Sequence, residues 1–257
     1  MCFDIKASLV VQLSRARRKN DAKAVKEILE RLIPLTNLPI YHASGFSHPE
    51  LLIYTDRSPE FPEVATWGLV PHWVRDEQEM KKQWNNTLNA RGETIFEKPS
   101  FQASAKNNRC LIYVDGFYEH HHYKGKTYPF YISRKDKQPM ALAGLWSEWK
   151  NPITGGILNT FTIVTTKANA LMAEIHNNPK LQEPRMPVIL PTELEDKWLI
   201  SINDELDIKA IEELIREYPE GELQGHTVAK LRGKEYPGNV KTISEKVIYK
   251  ELESMSP

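Results

Sequence analysis

The strongest constraint on how this chain folds is a succession of short apolar or alternating runs between Tyr41 and Leu190: ELLIYTD, RCLIYVDGFYEH, PFYISR, MALAGLW and NTFTIVTT. Each is rich in Ile, Val, Tyr, Phe or Thr, and clusters of Gly, Pro and Asn separate them, the pattern of strands joined by turns. Isolated strands do not hold their own structure in water, so these must pair around a shared core. Helical spacing flanks them. From Asp21, DAKAVKEILERLI sets Val25, Ile28, Leu29 and Leu32 on one apolar helix face that ends before Pro34. LMAEIH, ELEDKWLI and IKAIEELIREY return to that spacing, and HTVAKLRGKEYPGNVKTISE reads as one last strand followed by an irregular tail. No repeat and no Gly/Ser linker divides the chain. The expectation is one α+β domain over residues 1–257, with a mainly antiparallel sheet core and peripheral helices, residues 14–33 a helical elaboration and 250–257 a tail.

Composition narrows the partners. Lys+Arg and Asp+Glu each total 34, so no global positive field draws the chain to nucleic acid, and DNA contact requires a local patch. Arg15, Arg17, Arg18 and Lys19 form one such run, though a run of this kind is more often a solvated face. No window approaches the roughly 18 consecutive apolar residues of a membrane helix, and the N-terminus lacks a signal-peptide core; a cytoplasmic protein without membrane contact is expected. The two cysteines, Cys2 and Cys110, make neither a disulfide framework nor a metal knuckle, which suits free thiols in a reducing compartment. His120, His121 and His122 would alternate across a strand, and no matching Cys or carboxylate set accompanies them. Neither a metal nor a cofactor is expected.

The chain begins MCFDIKASLV. Removal of Met1 would leave Cys2 with an α-amine and a thiol on adjacent carbons. An α-amine has a reference pKa of about 7.7–8.0 and attacks an aldehyde near neutral pH to give an imine. The neighbouring thiol then closes a five-membered thiazolidine on the same carbon, which no internal cysteine can do. The same atoms also suit thiol attack on an amide, as in hydrolases with an N-terminal nucleophile. Cys110, at the start of an apolar strand, reads as a core residue.

Further candidates lie along the chain. In NTLNARGETIF, Asn89, Arg91 and Glu93 would share a face on a strand, where they could orient an amine and hold a phosphate; a hydrogen-bonded turn is the other reading. In VDGFYEH, Glu119 follows Phe117 and Tyr118, and apolar surroundings raise a carboxyl pKa toward use as a general acid. His176 ends a short helix beside Asn177, Asn178 and Pro179. In WGLVPHW, Trp67 and Trp73 are either core residues or stacking platforms for single-stranded nucleic acid.

Taken in order, Met-Cys, WGLVPHW, NARGETI, RCLIYVDGFYE, ALAGLW, FTIVTTKAN, a following IH and RMPVIL resemble the SOS-response-associated peptidase (SRAP) family, whose members cross-link to abasic sites in DNA. The resemblance runs from Cys2 to the strand near His226. It implies a barrel-like antiparallel core and a groove for single-stranded DNA containing abasic sites. It further implies removal of Met1, by autoproteolysis or an aminopeptidase, and a lyase-like cross-linking enzyme that acts in the DNA damage response, associated with the nucleoid when bound; a monomer is the default expectation. By motif, Cys2 would be the nucleophile, Asn89 would orient its amine, Glu119 would act as acid and base, and His176 would assist proton transfer. Arg91 would hold a phosphate, with Trp67, Trp73 and Arg185 as further DNA contacts. Three positions depart from the family pattern. Phe3 and Asp4 follow Cys2 where Gly and Arg are usual, and His120 stands where Trp follows the glutamate. Position 4 thereby loses a phosphate donor. The competing functions are a thiol peptidase acting on other proteins and a non-enzymatic nucleic-acid-binding module.

Overall fold

The computed structural model describes residues 2–255. Its strands are β1 (Asp4–Ala7), β2 (Ile40–Ser44), β3 (Glu50–Thr55), β4 (Glu63–Trp67), β5 (Asn89–Arg91), β6 (Arg109–Val114), β7 (Gly116–Tyr123), β8 (Lys126–Arg134), β9 (Met140–Lys150), β10 (Ile157–Lys167), β11 (Arg185–Pro187), β12 (Ile189–Leu190) and β13 (Leu223–Thr227). The helices are α1 (Leu9–Gln12), α2 (Ser14–Arg18), α3 (Ala22–Glu27), α4 (Glu77–Trp84), α5 (Pro99–Asn107), α6 (Ala170–Ile175), α7 (Glu195–Trp198) and α8 (Glu205–Glu212).

Strands β10, β4, β3, β6 and β9 pair in a ring, a closed five-stranded barrel. All but one of these pairings are antiparallel; the ring closes through a parallel contact that sets Phe161 beside Trp67. A second, antiparallel sheet in the order β13-β8-β7-β1-β2 lies against the barrel. The α+β class and the mainly antiparallel, barrel-like core are as the sequence predicts.

Side chains on successive strand residues point to opposite faces, and β6 displays this. Cys110, Ile112 and Val114 belong to a core that also holds Ile5, Phe117 and Ile132 of the second sheet. Leu111 and Tyr113 instead join an outer layer with Ala105, Trp198 and Ile211, where α5, α7 and α8 cover the barrel. Both faces are buried, which is why RCLIYV is nearly all apolar. Gly144 explains the small residue within ALAGLW: a Cβ there would lie 2.3 Å from Ile112 Cδ1 and 2.8 Å from Cys110 Sγ.

The run RCLIYVDGFYEH is two strands in two sheets. Between them Asp115 accepts hydrogen bonds from the Ser8 amide at 2.5 Å and the Ser8 hydroxyl at 2.9 Å. Gly116 follows because a Cβ would come within 2.3 Å of the Ile132 carbonyl oxygen. The chain therefore leaves the barrel at a fixed point and carries Glu119 into the second sheet.

The N-terminal helical segment is more broken than its periodicity predicts. The helix from Asp21 becomes α3, a π-turn at Ile28–Leu32 and a 3-10 turn at Ile33–Leu35 that contains Pro34. Leu13, Ala16 and Ile28 pack on Leu52 of the barrel. Nor is the basic run a free patch. Arg15 is buried and paired with Glu195 and Asp196, Arg18 pairs with Glu195, and Lys19 pairs with Glu60. At the other end, 250–255 form a 3-10 turn, with the last two residues of the expected tail outside the described residues. Among the described residues no helix is long and apolar enough to cross a membrane.

Candidate active site

The first residues, which sequence patterning did not assign to a strand, position the site. β1 inserts between β2 and β7, with Asp4 opposite Tyr118 in an antiparallel pair. Cys2 and Glu119 thereby come to the same end of that pair. Cys2 is buried in the main core at 1% exposure, and Phe3 packs beside it with its ring centroid 5.0 Å from that of Phe46. From the barrel side, Asn89 Nδ2 donates to the Cys2 carbonyl at 2.9 Å. Asn89 can do so because β5 pairs in parallel with β10, which fixes its backbone opposite Ile163. Its Oδ1 is buried and has no partner among the described residues.

Glu119 and His176 meet at 3.9 Å between Oε2 and Nδ1, both buried. His176 lies just beyond the last turn of α6, which Asn169 caps by accepting from the Met172 amide at 3.0 Å. The segment after α6 is sewn to β7: His122 N–H donates to Asn177 Oδ1 at 2.7 Å, and Asn177 Nδ2 donates to the His122 carbonyl at 3.1 Å. The Arg185 peptide holds the imidazole. In one tautomer Nδ1–H donates to the Arg185 carbonyl at 2.9 Å, and in the other Nδ1 accepts from the Arg185 amide at 3.1 Å.

Burial dominates the electrostatics, because it penalises whichever form of a group is charged. It raises the Cys2 thiol well above its ordinary value, with the Glu119 charge adding to the effect, so the sulfur is a thiol at neutral pH. It raises the Glu119 carboxyl as well. It lowers His176 to about 4, which leaves the imidazole neutral at pH 7. A carboxyl whose hold on a proton is strengthened by burial, beside a neutral imidazole, is suited to exchanging protons with a substrate.

Glu119 and His176 line a cleft of about 360 Å³ together with Phe3, His120, His122, Lys230 and Arg232 among others, and Cys2 lies buried next to Phe3. The three histidines alternate: His120 and His122 line this cleft, whereas His121 turns the other way and lies with Nδ1 3.0 Å from the Glu174 carbonyl. Among the described residues no group of three His, Cys, Asp or Glu could hold a metal ion.

The predicted DNA contacts divide. Arg91 is exposed at the end of β5 and has no ion-pair partner among the described residues. Trp67 is fully buried, donates from Nε1 to the Leu88 carbonyl at 2.8 Å and stacks on Phe161, so it cannot stack on a base and is a core residue. Trp73 is half-buried against Val70, Val74, Met80 and Trp149, away from the residues that line the cleft. Arg185 needs the firmest correction as a DNA contact. Its side chain is 2% exposed and its donors go to Glu93 at 2.6 Å, Glu183 at 2.9 Å and the Thr165 carbonyl at 2.8 Å. It braces the site by supplying the peptide that holds His176.

Lys230 and Arg232 were missed by sequence reasoning. They sit in the irregular stretch after β13, where no periodicity directs a side chain anywhere. The signal was the acidic residue at position 4: buried Asp4 accepts from Arg232 Nη2 at 3.0 Å.

Known proteins agree with this architecture. The crystal structure of a protein from Bacteroides thetaiotaomicron superposes with a TM-score of 0.80 at 30% identity, covering 96% of this chain and 100% of that one. Abasic site processing protein YoqW of Bacillus subtilis (strain 168) is 37% identical over 195 residues, 74% of this chain and 81% of that protein. Abasic site processing protein HMCES of Xenopus tropicalis is 30% identical over 187 residues, 63% of this chain and 53% of its own greater length. The family model described as SOS response associated peptidase (SRAP) matches residues 9–234, and the chain belongs to the SRAP family.

Proposed function

We propose that this protein processes abasic sites in single-stranded DNA by forming a covalent thiazolidine from Cys2 after Met1 has been removed. The observation that carries this reading is the convergence on Cys2: Asn89 grips its carbonyl at 2.9 Å, while Glu119 and His176 stand 3.9 Å apart at the adjoining cleft. Met1 itself lies outside the described residues. The names of the relatives from Bacillus subtilis and Xenopus tropicalis support the choice of an abasic site as substrate.

The chemistry follows from the protonation states. Opening of the abasic sugar exposes an aldehyde: the protonated form of Glu119, which burial favours, donates to the departing ring oxygen while the anomeric hydroxyl gives up its proton. The Cys2 α-amine adds to the aldehyde carbon, and loss of one water gives the imine. Buried Asn89 Oδ1 is an acceptor available to an ammonium or amine N–H during this step. The thiol then adds across the C=N bond: sulfur bonds to carbon and the thiol proton ends on nitrogen. Neutral His176 can relay that proton. A protonated thiol is the appropriate resting state, because the amine attacks first. Sequestering the sulfur also keeps it from other electrophiles, since the thiolate is the reactive form. An abasic nucleotide has no base to unstack, so bringing its sugar to a recessed cleft costs less than flipping an intact one.

The test mixes protein confirmed by mass to begin at Cys2 with a single-stranded oligonucleotide carrying one abasic site. The expected product is a heat-stable band on a denaturing gel without any reductant. Cys2→Ser retains the amine but not the sulfur, and its adduct should require borohydride to survive. A Cys2→Ser band as stable as that of the wild type, without borohydride, would rule out ring closure through sulfur.

Self-removal of Met1 is part of the same proposal. Translation in a purified system without methionine aminopeptidase should yield chains that lose Met1 on standing, and Glu119→Gln should retain it. Retention of Met1 by wild-type chains would mean that another enzyme removes it.

A further inference from the structure

Asp4 stands two residues from Cys2, and its surroundings give it a role. Its side chain is 3% exposed, yet it carries two polar partners, His42 and Arg232. Oδ1 lies 3.0 Å from His42 Nε2, and His42 Nδ1 is 2.8 Å from the Tyr236 hydroxyl. Oδ2 accepts from Arg232 Nη2 at 3.0 Å. Burial alone would raise this carboxyl, but the hydrogen bond from His42 and the charge of Arg232 outweigh it and hold the pKa below the ordinary value. The carboxylate is thus a fixed negative charge under the cleft wall.

The segment that carries Arg232 is held as firmly. Leu231 is buried on one side of it, and farther along Asn239 Oδ1 accepts from the Tyr41 and His42 amides at 2.6 and 3.0 Å. The Arg232 side chain itself is 60% exposed and lines the cleft that holds Glu119 and His176. Its guanidinium therefore stands between a buried carboxylate and the open cleft. One N–H faces inward to Asp4, and among the described residues the remaining donors have no partner. Lys230 lines the same wall, with Nζ donating to the Thr127 carbonyl at 2.7 Å. An arginine held in advance by a carboxylate loses little rotamer freedom on binding an anion, and its planar fork suits phosphate oxygens.

We propose that Asp4 is a positioning residue that presents Arg232 at the mouth of the cleft, where the guanidinium binds a phosphodiester oxygen of the strand whose abasic sugar enters. This rests on the single-stranded DNA reading of the site above.

The test separates binding from chemistry by using an oligonucleotide with a tetrahydrofuran abasic analogue, which has no aldehyde and cannot cross-link. Affinity is measured across a salt series. Each phosphate contact to single-stranded DNA contributes about 0.7 to the slope of log K against log salt. Arg232→Gln, at an exposed side chain, should lower the slope by about 0.7 and weaken binding at low salt about fivefold, while Arg232→Lys should retain the wild-type slope. Asp4→Asn should weaken binding in the wild-type background and have no further effect in Arg232→Gln, since a positioning residue acts only through what it positions. An unchanged slope in Arg232→Gln overturns the phosphate contact. An equal loss on Asp4→Asn in both backgrounds overturns the positioning role. Wild-type protein that binds the analogue with the expected Arg232 dependence but forms no adduct with a true abasic site would refute the cross-linking reading and leave this one standing.

Discussion

At the scale of single residues, the site uses burial to reverse ordinary protonation preferences, and the signs can be checked. His176 is lowered from 6.5 to about 4. The unfolded chain therefore binds a proton that the native state resists between those values, and stability falls as pH drops through that window. Nuclear magnetic resonance of the His176 ring should give a midpoint near 4, and a midpoint at 6.5 or above would contradict the buried neutral imidazole. Glu119 is raised from 4.5 by burial, so the native state retains a proton that the unfolded state releases. That contribution is fully present below 4.5 and is lost as pH rises through the native pKa. Glu119→Gln removes the effect. Its melting temperature relative to wild type should rise between pH 4 and pH 8, as measured by calorimetry, whereas a constant difference would mean that Glu119 is not held in its protonated form. Motif order singles out Cys2, Asn89, Glu119 and His176 as candidates. It does not give their contacts, since Asn89 reaches Cys2 only through a parallel pairing of β5 that a three-residue strand does not advertise. Trp67 and Arg185 show the opposite error, because a motif does not reveal which of its members face inward.

At the scale of elements, short β-rich runs were legible because alternation is local, whereas β1 was not, since DIKA carries too few residues for any period. The switch of sheet at Asp115-Gly116 appears in sequence only as a turn signal; the close approach of Ile132 that requires glycine there is tertiary. The helical elaboration from 14 to 33 is tied to the barrel's outer layer. Glu195 is buried and takes Arg15 at 3.3 Å, Arg18 at 2.5 Å and the Tyr113 hydroxyl at 2.6 Å. Removing one member of such a set leaves buried charge unpaired, at a cost of about 3–5 kcal/mol. Glu195→Ala should therefore lower stability by about that amount in urea titration, and a loss under about 1 kcal/mol would mean the cluster is solvated. Trp67→Ala should also cost about 3–5 kcal/mol by opening a cavity against Phe161.

At the scale of the whole molecule, a chain with 34 basic and 34 acidic residues meets a polyanion only through a few placed charges. Several of its basic groups are already committed: Arg15, Arg18, Lys19 and Arg185 all have carboxylate partners. Arg91, Lys230 and Arg232 remain toward solvent or the cleft, so single-stranded DNA affinity should depend on salt with a shallow slope of about 2, at about 0.7 per contact. A slope of about 5 or more would require phosphate contacts well beyond these three groups. The barrel and second sheet share one core through Ile5, Phe117 and Ile132, and we propose that they unfold as one unit, with fluorescence and circular dichroism giving coincident transitions in urea. Two separated transitions would divide the chain instead. The most direct measurement of the central claim is the intact mass of the product formed with an abasic oligonucleotide. Thiazolidine formation at Cys2 predicts the mass of the oligonucleotide plus the chain lacking Met1 less one water, with no such species from Cys2→Ala. An adduct that persists unchanged in Cys2→Ala, or no adduct from protein proven to begin at Cys2, would contradict it.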